Sequence, residues 1–191
     1  MRSFVALWRA VNVGGRTLEM SALRALAERE GLAQVRTLLR TGNLAFVSGE
    51  SSPRELERRL EAASREQLGL ESDVIVRTGG ELARLREANP FPEFARRDPS
   101  HLLVVFLKTA PAASAPAFAK SLPGPEELRV VGAQAYVRYP SGIGRSRLTL
   151  SRIESGLGTR GTARNWNTVR RLEALVAASD GTGIERPKEG G

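Results

Sequence analysis

The chain alternates short apolar runs with amphipathic stretches, and the order of the two predicts its elements. FVALWRAV, beginning at Phe4, has the continuous apolar character of a buried strand and leads into the NVGG loop. A helix follows from about Met20 to Glu30, with Met20, Leu23 and Leu26 at helical spacing. Gly31 stands where a helix end favours a left-handed residue. VRTLL and LAFV read as two strands joined by an RTGN hairpin turn. Ser52, Pro53 and Glu55 form a helix start of the capping-box type, and Leu56, Leu60 and Ala63 supply the buried stripe up to Gly69. VIVRT is a strand. Thr78-Gly79-Gly80-Glu81 offers a second capping box, for a helix that stops at Asn89 before Pro90.

The second half repeats this order. HLLVVFL is apolar enough throughout to be central in its sheet. A short helix of alanines with Phe118 follows, then LRVV and AYVRY as a hairpin about Gly132 and Ala133. The next helix lies beyond SGIGRSRLTL, with Ser151 and Glu154 as its capping box. Each half is β-α-β-β-α, and a closing strand is clear only in the first. Trp166, Val169, Leu172 and Val176 share one side of the last helix, so Trp166 belongs to a core and not to a base-stacking platform. Arg164, Thr168 and Arg171 fall on the opposite, solvent side, while Asn165 is an N-cap or a buried amide, with Thr162 the competing cap.

The fold class is therefore α+β, with two ferredoxin-like (β-α-β-β-α-β) repeats that share or exchange strands. The first half spans residues 1–78, and a connecting helix and proline-rich joint span 79–100. The second half spans 101–179, and residues 180–191, lacking apolar periodicity, read as a disordered tail. Two phenylalanines in the joint EANPFPEFARRDPS indicate that it is packed down.

Composition narrows the chemistry. The chain has no cysteine, which removes disulfides, zinc–thiolate sites, iron–sulfur clusters and a cysteine nucleophile. Its one histidine, His101, opens an apolar run and reads as a strand-edge residue, so no histidine metal cluster can form. No metal or cofactor is expected. The net charge is +8, almost all from arginine, because Lys108, Lys120 and Lys188 are the only lysines. Many arginines alternate with glutamates, as in SPRELERRLEAASREQ, and form a solvated, salt-bridged face. The remaining excess favours anionic partners, nucleic acid or a phosphate-bearing small molecule. FVALW is broken by Arg9 and too short for a secretory signal, and no apolar run approaches the ~20 residues of a membrane span, so the cytoplasm is the expected location. Oligomeric state leaves no mark on the sequence.

Three loops carry candidate chemistry. In NVGGR, residues 12–16, two glycines allow close backbone approach to a ligand and Arg16 adds charge, although neither the phosphate-loop nor the dinucleotide spacing is met. In PSGIGRSR, residues 140–147, two glycines precede Arg145, Ser146 and a helix start, a setting for a carboxylate or phosphate. The third is TARNWNTV, residues 162–169, with Arg164, Asn167 and Thr168.

WRAVNVGG, RTGNLAF, ANPF, YPSGIGRSRLT and GTARNWNTV, in this order, closely resemble a bacterial family catalogued as domain of unknown function sixteen ninety-seven. The resemblance covers about Ser3 to Ala178 and implies intertwined ferredoxin-like halves, but brings no activity, cofactor or catalytic residue. It is carried by Arg9, Asn12, Gly14, Gly15, Gly42, Asn43, Gly142, Gly144, Arg145, Ser146, Thr162, Arg164, Asn165, Trp166, Asn167 and Thr168. The chain departs from the family pattern at Ala10, Arg40, Thr41 and Ala163.

The candidate ligand-binding set is Arg9, Asn12, Gly14, Gly15, Asn43, Gly142, Gly144, Arg145, Ser146, Arg164, Asn167 and Thr168. The leading expectation is a binding module for an anionic, phosphate-bearing or nucleic-acid partner. An enzyme acting on a small anionic substrate is the alternative, with Ser146, Arg145, Arg164 and Asn167 polarising it. The motifs contain no carboxylate to act as base, however, and Glu154 is assigned to capping. A third reading makes the motif residues a purely structural hydrogen-bond network between the halves.

Overall fold

The structure, a computed structural model, describes residues 1–9 and 19–180. The NVGGR loop, with Asn12, Gly14 and Gly15, and the C-terminal segment expected to be disordered lie outside the described residues.

Two four-stranded antiparallel sheets form an α+β protein. The first comprises β1 (Arg2–Trp8), β2 (Ala33–Thr37), β3 (Asn43–Ser48) and β4 (Val74–Thr78), in spatial order β2-β3-β1-β4. Helices α1 (Met20–Arg29) and α2 (Pro53–Leu68) interleave with these strands. The second comprises β5 (Leu102–Leu107), β6 (Glu127–Val131), β7 (Gln134–Arg138) and β8 (Gly161–Asn165), in the corresponding order β6-β7-β5-β8. Helices α5 (Ala115–Lys120) and α6 (Leu150–Leu157) interleave there. Between the two runs lie α3 (Gly79–Glu87) and α4 (Pro92–Arg97), and α7 (Trp166–Asp180) follows β8.

The apolar runs of β1 and β5 are continuous because both faces of each sheet are covered. Phe4, Ala6 and Trp8 pack with α1 and α2, while Val5 and Leu7 face a central core that also holds Val104, Phe106, Tyr136 and Trp166. Val105 and Leu107 face a third cluster under α5 and α6. Helix α7 lies against β1 and β3 of the first sheet as well as β5 and β8 of the second. The central core is thus shared by both sheets, and neither run buries its apolar faces alone.

Several local expectations are met. Thr78 and Glu81 make both bonds of their capping box, and Gly69 closes α2 in the left-handed region at φ +59°. Phe94 is buried in the joint, with the Arg138 guanidinium over its ring and that of Phe91, each 5.8 Å from the centroid. The joint also contains α4, which the pattern did not reveal. Ser52 accepts from the Glu55 N–H as expected, but its own N–H donates to Glu50, because Glu55 turns outward to Arg58.

Two expectations change. The sequence 161–165 is not a loop but β8, pairing with β5 from Gly161↔Leu107 to Asn165↔Leu103. It supplies the closing strand that the second half lacked on paper. Its polar composition concealed it, since Arg164 reads as a solvent-facing residue and Thr162 as a helix cap until their partners are known. Helix α6 is capped by Thr149, not Ser151, and Glu154 is freed for another role.

Candidate functional site

The sequence-derived candidates separate into three places. The first is a buried polar knot where β8 meets the end of the first sheet. Arg164 was expected in solvent but is only 8% exposed, because it extends from a strand across the sheet–sheet junction. Its Nε donates to Asn43 Oδ1, and Nη1 donates to Thr162 Oγ1 (2.7 Å) and the Ala163 carbonyl (2.8 Å). Nη2 donates to the carbonyls of Trp8 (3.1 Å) and Thr41 (2.9 Å). A guanidinium has five N–H donors, and these five bonds use them all. Burial pulls the Arg164 pKa down to about 10.

Asn43 is fully buried and donates to the Leu38 carbonyl and Thr41 Oγ1, both at 2.8 Å, closing the RTGN turn around its partner. Asn165 caps α7 by accepting from the Thr168 N–H and Oγ1, both at 2.9 Å. Thr168, also expected in solvent, is buried because α7 is covered by both sheets and α3. Asn167 is exposed.

The second place is the seam where Arg9 leaves β1. Arg9 donates twice to Glu154, with both contacts at 2.9 Å, and Glu154 also accepts from the Gly161 N–H at 2.8 Å. Burial works against the charge on Glu154, but the bonds from Arg9 and Gly161 outweigh it and hold the carboxyl below its ordinary range. Asp73 and Arg160 pair beside it at 3.1 Å, in a polar cleft of about 360 Å³. Lys108 reaches from the second sheet to Glu57, Glu61 and the Val74 carbonyl at 2.6–2.8 Å, a further tie across the seam.

The third place is a cavity of about 300 Å³ at the end of the second sheet. Gly142, at φ +86° in the region accessible to glycine, leads into a short 3-10 turn, Ile143–Arg145, whose last residue lines the cavity. Gly144 sits in that turn with open space around it. Ser146 donates its hydroxyl to Glu126 and accepts from the Leu148 N–H at 3.0 Å. Tyr139 pins the loop from beneath by donating to the Leu148 carbonyl at 2.9 Å, and burial, then the Glu126 charge, pushes its pKa up to about 12. Arg145, Arg147 and Arg152 line the cavity, and among the described residues none of the three has an ion-pair or hydrogen-bond partner for its guanidinium. Against three cations stands one carboxylate, Glu126.

Glu126, Arg147 and Arg152 were absent from the sequence-derived set. Glu126 lies 20 positions from Ser146, and no spacing rule links them. Arg147 closes the PSGIGRSR run but was not singled out within it, and Arg152 was legible only as a member of an arginine-rich chain. Outside these places, His101 keeps its strand-edge role and bonds Asp98 through Nδ1 at 2.7 Å, which helps hold the Asp98 carboxyl below its ordinary range.

A family model described as a protein of unknown function (DUF1697) matches residues 1–136. The chain belongs to this DUF1697 family. No curated protein matches it in sequence. Among solved structures it is similar to the conserved bacterial protein SP0830 from Streptococcus pneumoniae, at 18% identity and a TM-score of 0.71. That match covers 92% of this chain and 98% of the other, and it carries the fold alone. The DUF1697 match ends within β7, so the arginine cavity and the Arg164 knot draw part of their residues from beyond it. No group of three or more potential metal ligands occurs among the described residues, and no helix there is long and apolar enough to cross a membrane.

Proposed function

We propose that this DUF1697 protein binds a phosphate-bearing partner, with nucleic acid the favoured class, in the cavity lined by Arg145, Arg147 and Arg152. One observation carries the reading: three guanidiniums with no partner among the described residues converge on a cavity of about 300 Å³ that holds a single carboxylate. Several other arginines of the chain are paired, as at Arg9–Glu154 and Arg160–Asp73. Guanidiniums bind phosphate oxygens in bidentate fashion, and Ser146 adds a hydroxyl that can turn from Glu126 to an incoming anion. Asn43, Arg164, Asn165 and Thr168 then serve as the structural knot that joins the halves. On the same reading each half is a ferredoxin-like unit and the two are intertwined, supported by the matching strand orders and by α7 lying on the first sheet.

The test is a titration against short single- and double-stranded DNA and RNA at low and moderate salt. The wild-type affinity is expected to fall as salt rises, and Arg145→Ala with Arg147→Ala to weaken binding at least about tenfold in folded protein. Binding that ignores both salt and these substitutions would overturn the reading.

A further inference from the structure

The two sheets are built in the same order but do not finish their outer edges alike. In the first, the space between α1 and edge strand β2 is filled by Leu23, Leu26, Leu32 and Val35, all buried in one cluster. In the second, the corresponding space between α5 and edge strand β6 is an open groove of about 600 Å³. Its walls are small or flat side chains, Ala112, Ala115, Pro116 and Ala119 on one side, and Leu128 with Val130 on the other. Helix α5 has only six residues and turns alanines toward the strand, while its one large apolar side chain, Phe118, lies against Gly156 of α6 and leaves the gap open.

Strand β6 pairs with β7 alone, in register Val131↔Gln134 about the two-residue Gly132–Ala133 loop. Residues flanking a two-residue hairpin loop form a hydrogen-bonded pair, and the pairs alternate along the ladder. The N–H and C=O groups of Leu128 and Val130 therefore face outward at the free edge, beside the apolar groove their side chains line. Arg129, between them, borders the groove but alternates to the opposite face of the sheet, where it lines a cleft with Phe91, Phe94 and Arg138. It is exposed, and among the described residues it pairs with Glu127 at 3.7 Å, which Arg138 also engages. Lys120 stands exposed on the rim of the groove.

We infer that the β6–α5 groove receives an extended peptide of alternating apolar and acidic residues, which adds as a fifth strand to the second sheet. Main-chain bonds to Leu128 and Val130 give the attachment, and alternate apolar side chains fill the groove. The intervening acidic side chains meet Arg129 on the far face. A second copy of this chain is a poorer occupant: two β6 strands paired antiparallel about their middle set Arg129 against Arg129, and like charges directly opposite are destabilising.

The experiment is fluorescence polarisation of full-length protein with two labelled octapeptides, one alternating valine with glutamate and one alternating valine with lysine. Binding of the glutamate peptide is expected in the micromolar range, and the lysine peptide at least about tenfold weaker. Ala119→Trp, which fills the groove from its helical wall, is expected to abolish binding. Arg129→Glu is expected to reverse the preference between peptides. Arg145→Ala, in the separate arginine cavity, is expected to leave binding unchanged, and thermal melts verify that each variant is folded. Equal affinity for both peptides, binding insensitive to Ala119→Trp, or binding lost with Arg145→Ala would each overturn the inference. So would a dimer in sedimentation that Ala119→Trp dissolves, since the occupant would then be a second copy.

Discussion

Arg164 and Arg145 come from two motifs of similar appearance, each a polar run with an arginine near its middle, yet the fold uses them in opposite ways. Arg164 is buried with all five N–H groups spent on one side chain of the first sheet, two carbonyls across the junction and two groups of its own strand. Arg145 is exposed on a 3-10 turn and lines a cavity with two further guanidiniums that, like its own, have no partner among the described residues. A saturated arginine can serve stability and has no donor left for a ligand, whereas an unsaturated cluster costs repulsion and is relieved by an anion. Residue type within a motif therefore says little until the count of remaining donors is known.

The comparison can be broken first at the knot. Arg164→Ala leaves five acceptors without their donor and is expected to cost about 3–5 kcal/mol in chemical denaturation. Arg164→Lys, which keeps the charge but not the fork, should recover only part of that loss. Asn43→Ala strands the Arg164 Nε and the Leu38 carbonyl, with an expected cost of about 2–3 kcal/mol in the same assay.

At the seam, the depressed Glu154 pKa makes stability depend on acid. The folded value lies below the ordinary 4.5, so the contribution is present above that pH and is lost as pH falls through the folded value. Glu154→Gln is expected to cost about 1.5 kcal/mol at neutral pH and to flatten the fall in melting temperature between about pH 5 and pH 3. Asn165→Ala removes the cap of α7 and should cost about 1 kcal/mol, read from the denaturation midpoint. Arg145→Ala stands at the other extreme, with stability within about 0.5 kcal/mol of wild type.

What the sequence disclosed, and what it withheld, follows the range of the interactions. The Thr78–Glu81 capping box, the left-handed Gly69 and the hairpin at Gly132 depend on neighbours a few residues away, and all were legible. The buried stripe of Trp166, Val169, Leu172 and Val176 was legible for the same reason. Strand β8 was not, because its polar side chains are buried by partners 121 and 156 positions distant, Asn43 and Trp8. Glu154 shows the same limit: its local spacing fitted a capping box, but Arg9, 145 positions away, claims its carboxylate. In the arginine cavity, the SGIGRS run marked one wall, while Glu126 arrives from a turn that carries no chemical signature.

The most direct test of the central claim is thermal unfolding of wild type and of the Arg145→Ala, Arg147→Ala double variant, each with and without a short oligonucleotide. Ligand that binds only the folded state at about 100 times its dissociation constant adds about 2.7 kcal/mol. The account predicts a clear rise in wild-type melting temperature with oligonucleotide and none in the double variant, with the two ligand-free curves nearly superimposed. An equal rise in both proteins would contradict it and place the anion site away from these arginines.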